Sequence, residues 1–571
     1  MDASISGWLS FPSSPVEVQS SGARRWIAPA VVVLVLLFVY HATLAPTVTF
    51  WDAGEFLSAI HSLGIPHPPG TALFVLIANV WTRIFSQWLG FAYSVNVFSA
   101  VCTAAACGIA AWLMQRWTGN STAAIAGGLT GGLMSSVWLN ATETEVYSPA
   151  LLVSLVLFLV GDQARITRER RWLMLLAYLI GFGWALQLSA LVGAPAAVFL
   201  ALWRNPQDDE RPLFNRASST TVAAERRDFW MSVATAIAVM LIGASAVFFL
   251  LVRARHDPAI NQGNPATLHA LSDVITRKQY LPSPLFPRQA PFYLQVGNMF
   301  EYADWQVALS LGFDPPPTIA RTSVTIAFAI LGAIGFLWHR RAHVASWEAV
   351  TLLFITGTIG IVVYLNMKAS PSYGIGFLPA ATKHEARERD YFFALGFMCW
   401  GLWAGAGAVR LLRGLGWPGK AIALCIAFLP AVLNYHAVDR SRWPVAYAAR
   451  LNAQRDLIPD PKNAVFFAAG DNDTYPVWFM QEVEGLRRDV TPVTLPLLGA
   501  TWYREELARR HQLLGPEFVK TWRGLEPTYA ELCTRSRQLG RPVVVPRMAG
   551  APVVPKACLY PVSGGFGVHS Y

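Results

Sequence analysis

Apolar residues in this chain of 571 residues come in blocks about as long as a lipid bilayer is thick. An α-helix needs roughly 20 apolar residues to cross the hydrocarbon core. Only 14% of the residues are charged, against roughly 25% in soluble proteins. The sequence therefore predicts a mainly α-helical, polytopic membrane protein with about 11 transmembrane helices. The predicted spans are residues 26–44, 92–114, 121–139, 148–162, 172–187, 188–203, 229–252, 321–338, 346–366, 391–411 and 419–435.

The net charge of +10 could indicate nucleic-acid binding, but the placement of the basic residues favours a topology signal. They cluster in short connections between the apolar blocks, and a cytoplasmic N-terminus places all of these connections inside. We therefore expect no nucleic-acid partner. The Arg-rich connections favour a multi-pass protein of a bacterial inner membrane. The large segments predicted to lie outside are residues 45–91, 140–147, 253–320, 367–390 and 436–571.

Three parts of the chain differ in character. Residues 1–25 are polar and are predicted to form a disordered cytoplasmic tail. Residues 26–435 hold the spans and the outer loops. Residues 436–571 are predicted to form a small, soluble α/β domain outside the membrane, because strands at 463–470 and 491–497 flank a helical run and make a βαβ unit.

Two further features of the chain bear on its topology and chemistry. Residues 71–89 are apolar but are interrupted by polar side chains, so they are predicted to form an interfacial helix and not a span. Cys533 and Cys558 lie in the soluble domain, where an oxidising compartment would allow a disulfide. The cysteines and histidines of the outer segments lack the sequence spacing typical of metal ligands, so no metal site is predicted. A divalent cation as cofactor stays open.

The first outer segment holds the densest group of chemically active residues. Asp52 and Glu55 are three residues apart, so one helical turn would place both carboxylates on the same face. His67 stands between prolines, which fix the backbone around it. This group suits general base catalysis on a membrane-bound substrate. Alternatively, Asp52 caps the following helix and the prolines only turn the chain.

Two other outer segments carry charge at the membrane surface. Glu143 and Glu145 precede a span, where they either cap the helix or supply a second acid or metal ligand. Basic residues at an outer face suit a lipid phosphate, which Arg can bind with two hydrogen bonds. The alternative for them is a solvated run of Glu–Arg pairs. The basic candidates are Lys368, Lys383, Arg387 and Arg389.

In the soluble domain, Asp471 and Asp473 lie in a turn that follows a strand and opens a helix. Ligands of α/β units often bind at this position, so both residues are candidates for acceptor binding, together with His67. The alternative is an Asx turn that caps the helix.

Several motifs, in order along the chain, resemble a family of multi-spanning membrane proteins that is defined by a domain of unknown function. That family is related to the protein O-mannosyltransferases and to the GT-C class of glycosyltransferases, which use polyprenyl-phosphate sugars. The motifs run from about residue 45 to residue 505, and the last is the most specific. They are WDAGEF with LGIPHPPG (51–56, 63–70), TETEVY (142–147), ITRKQY (275–280), YLNMK (364–368), EARERDYFF (385–393), NYHAVDRS (434–441) and GDNDTYPVWFMQEVEG (470–485).

The resemblance implies a GT-C fold and the transfer of a sugar, with mannose as one option, from a polyprenyl-phosphate donor to an acceptor hydroxyl on the outer face. The acceptor would be a protein, a glycan or a lipid. Asp52 matches the acidic residue that acts as base, Glu55 would assist it, and Glu145 matches the acidic position of the second loop. Arg387 and Arg389 match the basic motif assigned to the donor phosphate.

Two other functions compete with a glycosyltransferase. A transporter or lipid flippase would carry ionisable residues within its spans, whereas the charges here gather at the outer face. A non-catalytic scaffold that displays the α/β domain would leave the acidic loops without a role.

Overall fold

The computed structural model describes residues 25–204, 222–280, 285–312, 317–545, 553–562 and 565–567. The predicted tail at 1–25 lies outside this range except for its last residue. The chain is mainly helical, as predicted. The helices before the soluble domain are α1 (Ile27–Ala42), α2 (Ala53–Ser62), α3 (Ala72–Leu89), α4 (Phe91–Thr118), α5 (Ser121–Gly132), α6 (Ser135–Ala141), α7 (Tyr147–Thr167), α8 (Arg170–Leu186), α9 (Ala194–Leu202), α10 (Val222–Ala244), α11 (Phe248–Ala254), α12 (Leu268–Ile275), α13 (Phe292–Asp304), α14 (Ile319–Ala342), α15 (Val344–Ile355), α16 (Ile361–Leu365), α17 (Ala394–Leu411) and α18 (Gly416–Val438).

Within the described ranges, eight helices are long and apolar enough to cross a membrane, and a bent pair makes a ninth. Seven of the eight coincide with predicted spans, and the bent pair coincides with an eighth. The predicted spans 26–44, 172–187 and 188–203 are helices too, but each helical stretch there has fewer than 18 residues. Such lengths fall short of the roughly 20 residues that cross a bilayer unassisted. A polytopic, mainly α fold is confirmed, with fewer full-length spans than predicted.

The bent pair consists of α5 and α6, which meet at an angle of 72°. A break at membrane depth frees backbone carbonyl groups, and these must find partners inside the protein. The Tyr40 hydroxyl donates to the carbonyl of Gly132 at 2.7 Å, and the Asn434 amide donates to that of Leu133 at 3.0 Å. Side chains from α1 and α18 therefore donate hydrogen bonds to the carbonyl groups that the break leaves without helical partners.

Helix α3 covers the segment predicted to be interfacial, although it is also long and apolar enough for a span. It starts five residues after His67, whose ring nitrogen Nδ1 contacts Glu55 at 2.5 Å. It ends seven residues before Asn96, whose amide donates to the carbonyl of Ala45 at 2.8 Å. These contacts lie outside the helix, so its interfacial position stays a prediction.

The C-terminal part is an α/β domain, as predicted. A three-stranded parallel sheet has the order β2-β1-β3, and a short antiparallel pair follows it. The helix after β1 begins at Asp471. The residues predicted to form a turn before this helix, Asp471 to Asp473, are therefore its first helical turn. The elements are α19 (Ala448–Leu457), β1 (Val465–Ala468), α20 (Asp471–Glu482), β2 (Thr491–Thr494), α21 (Thr501–His511), α22 (Pro516–Lys520), α23 (Leu525–Gln538), β3 (Val543–Val544), β4 (Tyr560–Val562) and β5 (Gly565–Gly567).

The five segments predicted to lie outside contact one another directly. Ala45 donates its backbone N–H to the carbonyl of Thr142 at 3.0 Å. Residues 65 and 261 form a parallel β-bridge between the first and third segments. The fourth segment reaches the first through Arg387, and the α/β domain reaches it through Asn472. The folded chain therefore gathers all five segments on one face.

Candidate active site

Asp52 lies directly before α2, but its side chain makes no capping hydrogen bond to that helix. The carboxylate instead accepts a hydrogen bond from the guanidinium group of Arg387, with 3.0 Å between Oδ2 and Nη1. Both side chains are only about one-seventh exposed, at 13% and 14%. A partly buried ion pair therefore replaces the capping alternative for Asp52.

Two aromatic rings hold the guanidinium group of Arg387. Its central carbon lies 5.0 Å from the ring centre of Trp51 and 4.8 Å from that of Tyr391. Aromatic faces attract cations, and the planar guanidinium group stacks on them better than an ammonium group does. Burial lowers the pKa of Arg387, but the neighbouring Tyr391 first and Asp52 next outweigh burial and raise it, so the group stays charged.

Glu55 is fully buried behind Asp52 and has three hydrogen-bond donors. The backbone N–H of His67 donates to it at 2.7 Å, the His67 ring contacts it at 2.5 Å, and the Gln262 amide donates as well. Burial alone would lower the pKa of His67, but the Glu55 carboxylate raises it to about 9. His67 is therefore charged at neutral pH, and the pair stiffens the loop behind Asp52.

The second acidic motif contributes two buried carboxylates with different surroundings. Glu143 accepts hydrogen bonds from the Thr49 hydroxyl at 2.7 Å and from Arg440 at 2.5 Å. Glu145 is 7% exposed, and its Oε2 has no hydrogen-bond partner among the residues that the structure describes. Burial and the charges of Asp52 and Glu143 raise the pKa of Glu145 well above its usual value. Glu145 therefore binds a proton more readily than an exposed glutamate does.

The other predicted cations lie farther from Asp52 than Arg387 does. Arg389 is one-third exposed and sits 3.7 Å from Glu385. Glu385 also accepts the backbone N–H of Lys368 at 2.9 Å, so these residues share one side of the loop. Lys383 is exposed, and no described residue forms an ion pair with it. Of the four predicted cations, Arg387 is the one in contact with a candidate catalytic acid.

The turn at the start of α20 separates its two aspartates. Asp473 accepts the backbone N–H of Ala469 at 3.1 Å, which ties the turn to the end of β1. Asp471 lies toward the first outer segment, since burial and the charge of Asp52 both raise its pKa. Between them, Asn472 accepts the backbone N–H of Trp51 at 2.7 Å. Asp471 therefore borders the Asp52 site, whereas Asp473 holds its own turn.

Asp52, Glu55 and His67 also have the spacing of a metal site. One ligand atom of each lies within 4.8 Å of the others. Each of these residues already has a protein partner of opposite charge, however: Arg387 for Asp52, and Glu55 and His67 for each other. A cation would have to displace these contacts, so charge balance at this cluster is already reached within the protein.

Several residues of the site lie outside the candidates predicted from the sequence. Gln262 and Arg440 bind Glu55 and Glu143. Trp51, Tyr391 and Asn472 surround Arg387 or hold its neighbours. Four of these five fall within the motifs quoted above, which was the available signal. Gln262 falls in none of them, and only the folded chain brings it to Glu55.

An apolar cavity of about 980 Å³ lies beside the fourth outer segment. Asp52 does not line it, but the cavity is linked to the basic motif through Glu301 and the adjoining Tyr302. The Tyr302 hydroxyl donates to Glu388 at 3.0 Å and accepts the backbone N–H of Arg389 at 2.9 Å. The lining is mostly aromatic and aliphatic and includes Glu301, Thr325, Phe336, Phe377, Trp400 and Trp403.

Two solved structures are similar to this chain over most of its length. Both are of ArnT from Cupriavidus metallidurans, one bound to undecaprenyl phosphate and one in the apo state. The first has a TM-score of 0.46 at 12% sequence identity and covers 84% of this chain and 92% of that chain. The second has a TM-score of 0.45 at 12% identity, with coverages of 83% and 90%. We transfer no residue role from these structures.

Sequence comparisons match two segments of the chain, which include Asp52 and Asp471 but not Arg387. Residues 52–210 match the family model described as the protein O-mannosyl-transferase TMEM260 N-terminal domain, and residues 449–513 match TMEM260-associated domain 2. The protein O-mannosyl-transferase TMEM260 of Mus musculus is 30% identical over 162 residues, which are 26% of this chain and 22% of that protein. The tmem260 protein of Dictyostelium discoideum is 26% identical over 133 residues, 22% of this chain and 16% of that protein. The match thus spans about a fifth of the length of these relatives. Through these segments, the chain is related to the protein O-mannosyl-transferases of the TMEM260 type.

Proposed function

We propose that this chain is a membrane glycosyltransferase of the GT-C class that moves a sugar from a polyprenyl-phosphate donor to a protein hydroxyl. The observation that carries the proposal is the contact between Asp52 and Arg387, which joins a base for the acceptor to a cation for the donor phosphate. Mannose is the sugar we favour, because the matched relatives carry the name protein O-mannosyl-transferase.

Asp52 serves as the base in this mechanism. Its carboxylate takes the proton of the acceptor hydroxyl as the hydroxyl oxygen attacks the anomeric carbon. The bond from the anomeric carbon to the phosphate oxygen breaks, and its electron pair leaves with the polyprenyl phosphate. Attack from the side opposite the phosphate inverts the anomeric centre. Glu55, with its charge balanced by His67, keeps the loop behind Asp52 in place.

Arg387 serves as the principal partner of the departing phosphate. Its guanidinium group has five N–H donors, and the structure uses one of them on Asp52. No described residue accepts a hydrogen bond from the remaining donors, so two of them can bind phosphate oxygens with parallel hydrogen bonds. Charge that develops on the phosphate is then stabilised by a cation that is already oriented by two rings. Arg389, Lys368 and Lys383 add positive charge farther along the same segment.

Glu145 suits a role as a hydrogen-bond donor. Burial and the charges of Asp52 and Glu143 raise the pKa of its carboxyl group well above the usual value, and no described residue bonds its Oε2. A neutral carboxylic acid in such a position donates to a sugar hydroxyl or a phosphate oxygen without adding negative charge. The second acidic motif would therefore bind the donor and not compete with Asp52 as base.

The apolar cavity suits the hydrocarbon chain of the donor. Its volume of about 980 Å³ and its aromatic lining provide an apolar surface next to the segment that carries Arg387 and Arg389. A polyprenyl chain lying there would place its phosphate toward the basic motif. This arrangement keeps the lipid in an apolar environment while the sugar reaches the polar face.

The site face would lie outside the cytoplasm, in a bacterial inner membrane. A disulfide joins Cys533 and Cys558 in the α/β domain, and disulfides persist in oxidising compartments such as the periplasm. The basic connections at the opposite ends of the spans agree with a cytoplasmic side there.

The proposal is tested with the full chain reconstituted in liposomes. Polyprenyl-phosphate mannose with a labelled sugar is supplied together with peptides that contain Ser and Thr, and label on the peptide is measured. We expect label on hydroxyl side chains, with polyprenyl-phosphate glucose a poorer donor. Movement of the intact donor across the bilayer without label on any acceptor would contradict the proposal and favour a flippase.

A further inference from the structure

The first turn of α20 holds the backbone directly before Asp52. The Asn472 side chain accepts the backbone N–H of Trp51 at 2.7 Å, across 421 residues of sequence. Trp51 has a φ of +63°, a left-handed conformation that L-residues with a side chain rarely adopt. Such a conformation persists only where the surrounding contacts compel it. The bond from Asn472 is one contact that does so.

Trp51 in turn supports the ion pair at the site. Its ring lies 5.0 Å from the guanidinium carbon of Arg387, and Arg387 donates to Asp52 at 3.0 Å. Trp51 and Asp52 are neighbours in the chain. The positions of the Trp51 ring and of the Asp52 carboxylate therefore depend on the same short stretch of backbone. If Trp51 relaxes to a negative φ, its ring and the Asp52 carboxylate cannot both keep their places beside Arg387.

A second contact fixes the other side of Asp52. A Cβ atom added at Gly54 would lie 2.3 Å from the backbone oxygen of Tyr475, in α20. Backbone atoms cannot rotate away as a side chain can, so a glycine is required for this approach of α2 to α20. The α/β domain therefore contacts the residue before Asp52 and the residue two positions after it.

We propose that Asn472 is a positioning residue for sugar transfer, and that the α/β domain thereby sets the geometry of the Asp52–Arg387 pair. This inference rests on the proposed function for its catalytic consequence and on the Asn472–Trp51 bond for its structural one. Asn472 acts through Trp51 and need not touch the donor or the acceptor. Loss of its oxygen lowers the rate of the chemical step more than the affinity for either substrate.

The kinetic test compares three variants of the full chain. Asn472→Ala removes the accepting oxygen, Asn472→Asp keeps one, and Asn452→Ala makes the same truncation at a site in α19 whose side chain contacts Arg455. We expect Asn472→Ala to lower kcat by about tenfold or more while both KM values change by less than about threefold. Asn472→Asp should recover most of kcat, and Asn452→Ala should match the wild type. Equal kcat in Asn472→Ala and Asn452→Ala would overturn the inference, and so would equal losses in Asn472→Ala and Asn472→Asp.

A second measurement does not depend on activity. The 22 tryptophans are replaced by 5-fluorotryptophan, and the ¹⁹F resonance of Trp51 is assigned from its absence in Trp51→Phe. We expect Asn472→Ala to shift or broaden this resonance and Asn472→Asp to leave it close to the wild-type position. An unchanged resonance in Asn472→Ala would overturn the inference. If the wild type transfers no sugar but the resonance moves as expected, the proposed function fails, whereas the structural part of the inference, that Asn472 holds Trp51 in place, stands.

Discussion

Arg387 and Asp52 lie 335 residues apart in the chain and 3.0 Å apart in the folded protein. The pair joins two predicted outer segments at the point where an acceptor base and a phosphate-binding cation are needed together. The α/β domain contacts the chain next to this pair, because Asn472 accepts the backbone N–H of Trp51, the residue before Asp52.

Replacement of Arg387 with Lys should lower sugar transfer by about 100-fold, although the positive charge is kept. A lysine has no planar guanidinium group to lie between Trp51 and Tyr391 and to bind two phosphate oxygens at once. The measurement is the initial rate with labelled donor. Arg535→Lys, at an exposed pair with Glu531, is the matched control and should keep the wild-type rate. A rate for Arg387→Lys within about threefold of the wild type would show that the Arg387 guanidinium group does not bind the donor phosphate.

The pair formed by His67 and Glu55 should make stability depend on pH. Glu55 raises the pKa of His67 to about 9, above the roughly 6.5 of an unfolded chain, so the folded state binds the proton more tightly. The stabilisation is complete below pH 6.5 and is lost as the pH rises through about 9. Its size is about 3 to 4 kcal/mol, since the pKa rises from 6.5 to about 9 and each pKa unit corresponds to about 1.4 kcal/mol.

Thermal unfolding in detergent between pH 6 and pH 10 measures this dependence. The difference between the wild type and His67→Gln isolates the His67 contribution from other groups that titrate at high pH. We expect this difference to be largest at low pH and to shrink above pH 8. A difference that stays constant over the whole range would show that His67 is neutral in the folded protein.

Loss of the disulfide should destabilise the α/β domain. Cys533 and Cys558 are 25 residues apart, and closing a loop of this size contributes about 3 kcal/mol on the chain-entropy account. Cys533→Ser should therefore lower the unfolding temperature, whereas Cys425→Ser, at an exposed free cysteine, should not. In intact cells, a membrane-impermeant maleimide should label Gln538→Cys, at an exposed position at the end of α23. Labelling only after the membrane is permeabilised would place the domain in the cytoplasm.

Filling the apolar cavity should weaken binding of long-chain donors selectively. Ala329 lines the cavity, and Ala329→Trp would occupy part of its volume. We expect KM for a long polyprenyl-phosphate donor to rise by about tenfold, equivalent to about 1.4 kcal/mol of lost binding. Donors with a short chain should be affected less. Ala327→Trp, on the same helix but outside the cavity, is the control, and equal effects of the two variants would show that the cavity does not hold the lipid.

The sequence was sufficient to predict the fold class, because apolar length and the positions of basic residues are local properties. It did not show which spans are short or broken: α1 has 16 residues, and α5 and α6 meet at an angle of 72°. The carbonyl of Gly132, for example, is satisfied by Tyr40, which is 92 residues away. Such a partner cannot be identified from the apolar block itself.

Much of the candidate site was also visible in the sequence, but its contacts were not. Charge placement put Asp52, Glu145 and Arg387 on one side of the membrane, and the folded chain brings Arg387 to Asp52. Spacing could not distinguish a cap from an ion pair at Asp52. Nor could it find Gln262, 207 residues from Glu55, or the bond between Asn472 and the strained Trp51. These contacts depend on how loops pack across long distances in the chain.

Sugar transfer by Asp52→Asn is the most direct test of the account. Asparagine has nearly the same shape and can still accept a hydrogen bond from Arg387, but it cannot take a proton from the acceptor. With labelled polyprenyl-phosphate mannose and a peptide acceptor, we expect the rate to fall by about 10²- to 10⁴-fold, while the unfolding temperature stays close to that of the wild type. Asp273→Asn, at an exposed aspartate paired with Lys278, should transfer sugar at the wild-type rate. A folded Asp52→Asn protein with the full rate would show that Asp52 is not the base.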